Sequence, residues 1–181
     1  MANNNSRDRY YLAYGSNLSV EQMLQRCPDA IYVGTAEIDG YELLFKGSKT
    51  GSYLTIEKRE GSFVPVVVWK ISEADEKNLD RYEGCPHFYY KKMVRVKVRS
   101  LLTKRPGTEI EAMVYIMHEE RKLGVPDGWY YNVCKEGYDR FGFADWHLRK
   151  ALERSSDAKR AAHLHAYWTS QNWSKRAVGW R

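Results

Sequence analysis

The sequence predicts an α+β fold, and three observations carry that prediction. Apolar runs that alternate or stay continuous recur between Tyr10 and His118, enough for six or seven strands with short, mostly antiparallel connections. Three helical patterns with capping signals are set among those strands. A length of 181 residues with 43% hydrophobic and 14% aromatic content suits one domain with a real core and argues against disorder. Together these point to a small closed or nearly closed sheet with helices packed outside it. The expected organisation is a flexible arm over residues 1–9, a main domain over 10–144, and a basic, Trp-rich helical tail over 145–181.

The elements follow in order. Tyr10 to Tyr14 is apolar or aromatic and stops abruptly at Gly15-Ser16-Asn17, reading as a strand that runs into a tight polar loop. Ser19 and Gln22 form an S-x-x-Q capping box for a helix with Val20, Met23, Leu24 and Cys27 on one face, ended by Pro28. Ile31–Ile38 and Tyr41–Lys46 flank Asp39-Gly40, a strong hairpin signal. Tyr53–Glu57 and Phe63–Ile71 make a further pair across Lys58–Ser62. Val64–Trp69 is almost continuously apolar, as in a strand covered on both faces. Ser72 caps a helix over Glu73–Tyr82 that closes at Gly84. Tyr89–Leu102 is a long strand in which Val94, Val96 and Val98 alternate with Arg95, Lys97 and Arg99. A turn at Pro106-Gly107 leads to a strand over Ile110–His118 and, after Gly124–Gly128, to a helix over Trp129–Phe141. Asp145–Gln171 is helical, and there is no internal repeat.

Several function classes drop out early. No apolar run approaches the length of a membrane span, and Met1–Arg9 is polar with no signal-peptide core. Cys27, Cys85 and Cys134 are odd in number and widely spaced, without a CxxC pair, so they read as thiols in a reducing compartment. A cytoplasmic location is expected. Of the net charge of +6, all but one unit lies in Asp145–Arg181, where eight Lys or Arg face Asp145, Glu153 and Asp157.

Two stretches could carry chemistry. The loop Tyr14-Gly15-Ser16-Asn17-Leu18 joins a strand end to a helix start, a junction that gathers free N–H groups able to hold a carboxylate or an oxyanion. An ordinary strand-to-helix turn carries the same signals. In Leu79-Asp80-Arg81-Tyr82-Glu83-Gly84, Glu83 falls at a helix C-terminus, where the dipole disfavours its charged form. Partial burial there raises its pKa towards the range of a neutral-pH acid/base; in an exposed last turn it is a surface carboxylate beside Arg81. Asp80, one turn back, meets the same spacing.

Tyr11-Leu12-Ala13-Tyr14-Gly15-Ser16-Asn17-Leu18, Val66-Val67-Val68-Trp69, Leu79–Gly84, Tyr89-Tyr90 and Pro126-x-x-x-Tyr130 together resemble the γ-glutamylcyclotransferase family, including γ-glutamylamine cyclotransferases and AIG2-like proteins. The resemblance covers about residues 10–143, and the loop and the E-G string are far more specific jointly than singly. It implies a small mixed, mostly antiparallel β-barrel with flanking helices. It implies that Tyr14, Gly15, Ser16, Asn17 and Leu18 embrace the γ-glutamyl group, that Glu83 is the catalytic acid/base, and that Tyr90 and Tyr130 line the site. Asp127 stands where the family carries Ser, which weakens the match at Tyr130. The implied reaction is attack of the substrate's own α-amine on its γ-carbonyl, releasing 5-oxoproline and an amine or amino acid. One carboxylate can move the proton involved, so neither a metal nor another cofactor is implied. The loops Lys46–Tyr53 and His87–Tyr90 would face the leaving group.

Other constellations are weaker. Ser16 lacks a G-x-S-x-G context. Cys85 and His87 are too near in sequence to face each other readily, and His163 and His165 would point to different faces of a helix. In the tail, Trp146, Trp168, Trp173 and Trp180 mix with Lys and Arg. This pattern can stack on single-stranded nucleic acid in a non-catalytic binding module. The alternative docks Trp and Leu residues (Leu148, Leu152, Leu164) on the body or on a second subunit, leaving the charges in water, the commoner arrangement.

Overall fold

The computed structural model describes residues 8–47, 50–99 and 107–177; for 161–177 it describes the backbone and, among the side chains, that of His163 alone. The strands are β1 (Arg9–Ala13), β2 (Ile31–Gly47), β3 (Ser52–Ile71), β4 (Tyr89–Val98) and β5 (Thr108–Met117). They form one sheet in the order β2-β3-β1-β5-β4. Every neighbouring pair is antiparallel except β1 and β5, which run parallel with Tyr11 opposite Met113. The helices are α1 (Val20–Arg26), α2 (Glu73–Tyr82), α3 (Gly128–Arg140) and α4 (Trp146–Ala177). The chain is therefore α+β, as expected, with fewer and longer strands.

The two expected hairpins at Asp39-Gly40 and Lys58–Ser62 are not turns. Ile31–Asp39 pairs with Phe63–Lys70, and Tyr41–Gly47 pairs with Ser52–Lys58, so both halves belong to one long ladder. Gly40 (φ 74°) and Gly61 (φ 73°) absorb the extra residues as a bulge across that ladder. Asp-Gly reports a need for positive φ, which a bulge meets as well as a turn. The sheet is also not a closed barrel. Among the described residues its outer edges meet through a single bridge, where Thr35 and Arg99 exchange two backbone hydrogen bonds of 3.0 and 2.7 Å. β4 ends at Val98, and the expected extension to Leu102 falls mostly outside the described residues, as does Pro106.

β1 is the central strand, and its Tyr11, Leu12 and Ala13 are all buried, between β3 on one side and β5 on the other. Val66–Trp69 of β3 is covered on both faces, as its continuous apolar run requires. Helix bounds follow their caps. Ser72 and Asp75 form a reciprocal capping box that opens α2, and Gly84 (φ 61°) closes it. The first turns of α4 pack on β2 with Leu148, Ala151 and Ser155 fully buried. His147 is buried against Phe63, which pushes its pKa down to about 4. The side chains of Trp168, Trp173 and His165, the whole of Trp180, and the arm before Asp8 lie outside the described residues. Arg9 itself is part of β1, opposite Ile71.

Candidate active site

At the end of β1 the chain passes Tyr14 and Gly15 and makes one 3₁₀ turn, Ser16–Leu18, before Ser19 caps α1 by accepting from the Gln22 N–H. The Leu18 N–H donates to the Gly15 carbonyl (2.9 Å) and the Ser19 N–H to that of Ser16 (3.0 Å). Among the described residues nothing accepts from the N–H groups of Gly15, Ser16 and Asn17. Three such donors in succession make a loop that favours negative charge. A Cβ at Gly15 would lie 3.3 Å from the Tyr130 hydroxyl, a tight fit, and 3.6 Å from Leu54 Cβ, an ordinary contact.

Glu83 faces this loop. It is the C-cap residue of α2, its own N–H donating to the Leu79 carbonyl at 2.8 Å. Asn17 Nδ2 donates to Glu83 Oε1 (3.1 Å) and to the Tyr11 hydroxyl (2.8 Å). Burial raises the Glu83 pKa to about 7, with the Arg26 guanidinium and the Asn17 hydrogen bond pulling the other way. A carboxyl with that value is divided between its acid and base forms at neutral pH.

An open cleft of about 310 Å³ joins these groups, lined by the loop, Glu83, Leu54 and the rings of Tyr11, Tyr14, Tyr89, Tyr115 and Tyr130. The tyrosines are tied to the frame. Tyr14 donates to the Tyr115 carbonyl (2.7 Å) and Tyr89 to the Leu54 carbonyl (2.8 Å). The Tyr130 hydroxyl accepts from the Leu54 N–H (3.1 Å). Burial pushes all five hydroxyls up from their ordinary range, so they remain neutral. The walls are thus uncharged, and Glu83 is the one lining group that titrates near neutrality.

Of the residues singled out in the sequence, Tyr14, Gly15, Ser16, Asn17, Glu83 and Tyr130 converge on this cleft. Leu18 lies behind the loop, fully buried against Gly137 of α3. Tyr90 does not line the cleft; its hydroxyl donates to Glu119 (2.5 Å) and its ring lies against His118. Tyr89, on the opposite face of β4, lines the cleft in its place, and Lys91 on that same face pairs with Glu76 and Asp80 of α2. Asp80 accepts from Tyr115 (2.7 Å) and Lys91 (3.0 Å), so both its oxygens are engaged. Asp127 caps α3, accepting from the Tyr130 N–H at 2.7 Å, the hydrogen bond a Ser would make there. Tyr11, Leu54 and Tyr115 gave no local signal beyond belonging to strands. Among the described residues no three His, Cys, Asp or Glu side chains are grouped to hold a metal ion.

Residues 11–132 match the profile of the family described as γ-glutamyl cyclotransferase, AIG2-like. The chain belongs to that family. Over 114 residues it is 34% identical to the γ-glutamylcyclotransferase of Homo sapiens and 32% identical to that of Bos taurus. Each match covers 59% of this chain, which spans 58% of the relative's length. A solved γ-glutamyl cyclotransferase structure superposes with a TM-score of 0.67 at 27% identity, covering 84% of this chain and 87% of that one. The family match begins within β1 at Tyr11, contains the loop and Glu83 and reaches two residues beyond Tyr130. Among the described residues, no helix is long and apolar enough to cross a membrane.

Proposed function

We propose that the chain is a γ-glutamyl cyclotransferase that closes a γ-glutamyl amide into 5-oxoproline, with Glu83 as the acid/base. One observation carries the reading. Glu83, with a pKa of about 7, is held by Asn17 in a neutral, tyrosine-walled cleft that is also lined by Gly15, Ser16 and Asn17, whose backbone N–H groups have no acceptor among the described residues.

The chemistry needs little more. The substrate's α-amine attacks its own γ-carbonyl carbon, forming the ring C–N bond and placing negative charge on the carbonyl oxygen. Glu83 takes the proton the amine sheds and returns it to the departing nitrogen as that C–N bond breaks, so no net proton is consumed. Loop N–H groups directed at the developing oxyanion stabilise it by about 3 kcal/mol per donor. Walls that fold the flexible γ-glutamyl chain into a ring-closing pose contribute up to ~7–11 kcal/mol. The neutral tyrosines exclude water while adding no charge to compete with Glu83.

The test is 5-oxoproline release from γ-glutamyl amino acids, γ-glutamyl amines and glutathione, with Glu83→Gln beside the wild type. Turnover of at least one compound is expected, falling about 10²-fold or more in the variant while binding persists. Full activity in Glu83→Gln would remove Glu83 from this role. No release from any compound by the folded wild type would favour a binding function for the same cleft.

A further inference from the structure

Arg26 lies on the last turn of α1, outside the cleft, yet it is engaged on three sides. One guanidinium nitrogen, Nη1, donates to Asn17 Oδ1; the other, Nη2, donates to Gln22 Oε1 at 2.7 Å. The plane lies 3.7 Å from the centre of the Tyr82 ring, and the Arg26 carbonyl accepts from Asn78 of α2 (3.2 Å). Tyr82 immediately precedes Glu83, so the residue links α1, the loop and the end of α2.

We propose that Arg26 is a positioning residue for the site: its guanidinium decides which way round the Asn17 amide sits and so turns that amide's donor face onto Glu83. The argument rests on hydrogen-bond valence. Arginine offers donors and no acceptor, so the atom of Asn17 that meets it must be the amide oxygen. The NH₂ group is thereby left on the other side, where its two hydrogens reach the Tyr11 hydroxyl and Glu83 Oε1. Without the guanidinium, a half-turn of the amide would present its oxygen to a carboxylate, a repulsive contact, or leave the group unordered. The fork between Asn17 and Gln22 holds the guanidinium in one plane, and stacking on Tyr82 holds that plane in place.

A second effect acts through space. The titratable groups facing Glu83 are Tyr11 and Tyr14 from the β1 end, Tyr115 from β5, Tyr89 from β4, and Cys27 and Arg26 from α1. Burial keeps the tyrosines neutral and pushes the Cys27 thiol up to about 12, so Arg26 supplies the charge in this set. It favours the carboxylate form against burial.

The kinetic part of this inference rests on Glu83 being the proton carrier; the titration part does not. The experiment follows the Glu83 carboxyl by ¹³C NMR against pH in wild type, Arg26→Met and Arg26→Lys, each checked for a cooperative melt. The Met variant is expected to titrate at higher pH than wild type, by about half a pH unit or more. The Lys variant keeps the charge and a donor-only head but loses the planar fork that spans Asn17 and Gln22, so it is expected to titrate near wild type while its Asn17 side-chain amide, no longer held in one plane, shows moved signals. Where a γ-glutamyl amide is turned over, the acid limb of kcat/KM moves up with the Met titration. The Lys variant loses about tenfold in kcat with its acid limb in place. Coincident titration midpoints in Met and wild type, or unmoved Asn17 signals in Lys, would overturn the proposal. A wild type that releases no 5-oxoproline would count against the cyclotransferase reading alone, since the NMR comparison stands without turnover.

Discussion

Gly137 stands inside α3, a place where glycine ordinarily costs a helix roughly 0.5–1 kcal/mol relative to alanine. Here the usual gain from Gly→Ala is reversed, because a Cβ would lie 2.4 Å from Leu18 Cβ. Leu18 is the last residue of the 3₁₀ turn, so α3 presses directly on the back of the loop whose front faces the cleft. Gly137→Ala is expected to destabilise the protein by about 1–3 kcal/mol through overpacking. It should also cut turnover, since displacements near 1 Å can cost roughly 10²-fold. Thermal melts and 5-oxoproline release measure the two effects, and a stabilised, fully active variant would show that Leu18 can yield. At this scale the sequence was informative where the cleft is built from contiguous residues, as in Tyr14–Asn17, and silent where its lining depends on facing. Tyr89 and Tyr90 must point opposite ways in a strand, but which of them meets the cleft depends on which face of β4 turns towards the loop and Glu83.

Helix bounds were legible because capping is local. α2 runs from Glu73 to Tyr82 as its Ser72 cap and Gly84 predict, and α3 is displaced by one residue because Asp127 is its N-cap. The strands β2 and β3 were not legible as continuous elements, since a glycine in the left-handed region looks the same in a bulge as in a turn. The start of α4 shows how an apparent appendage becomes part of the body. Leu148 and Ala151 are fully buried, Ser155 Oγ donates to the Phe45 carbonyl (3.2 Å), and Arg154 pairs with Glu42 of β2. Leu148→Ala should therefore cost about 2–5 kcal/mol, the range for a truncated core leucine. Urea denaturation checks this, and a loss below ~1 kcal/mol would mean that α4 adheres mainly through its polar contacts.

For the molecule as a whole, the environment that tunes Glu83 also sets part of the pH dependence of folding. The native carboxyl titrates at about 7 against an ordinary value of 4.5, so the native state binds its proton more tightly than the unfolded chain does. The stability this contributes is fully present below pH 4.5 and is lost as pH rises through 7. Glu83→Gln removes that loss, so the variant should gain on wild type from pH 4.5 upward and level off above about 7, ending ahead by roughly 1–3 kcal/mol. Melting curves at pH 5 and pH 8 test the sign; an advantage confined to pH 5 would contradict it. The bridge between Thr35 and Arg99 has a consequence for encounters between copies of the chain. β2 and β4 are the rims of the sheet, and a long bare rim is a template for pairing with another molecule. The rim of β2 is occupied near one end by Arg99 and near the other by the segment around Leu123, which exchanges backbone hydrogen bonds with Phe45 and Gly47. The rim of β4 carries Lys91, Lys92, Arg95 and Lys97, whose charges resist stacking of like on like. A mixed sheet left short of full closure thus has, among the described residues, one rim partly covered and the other lined with like charges.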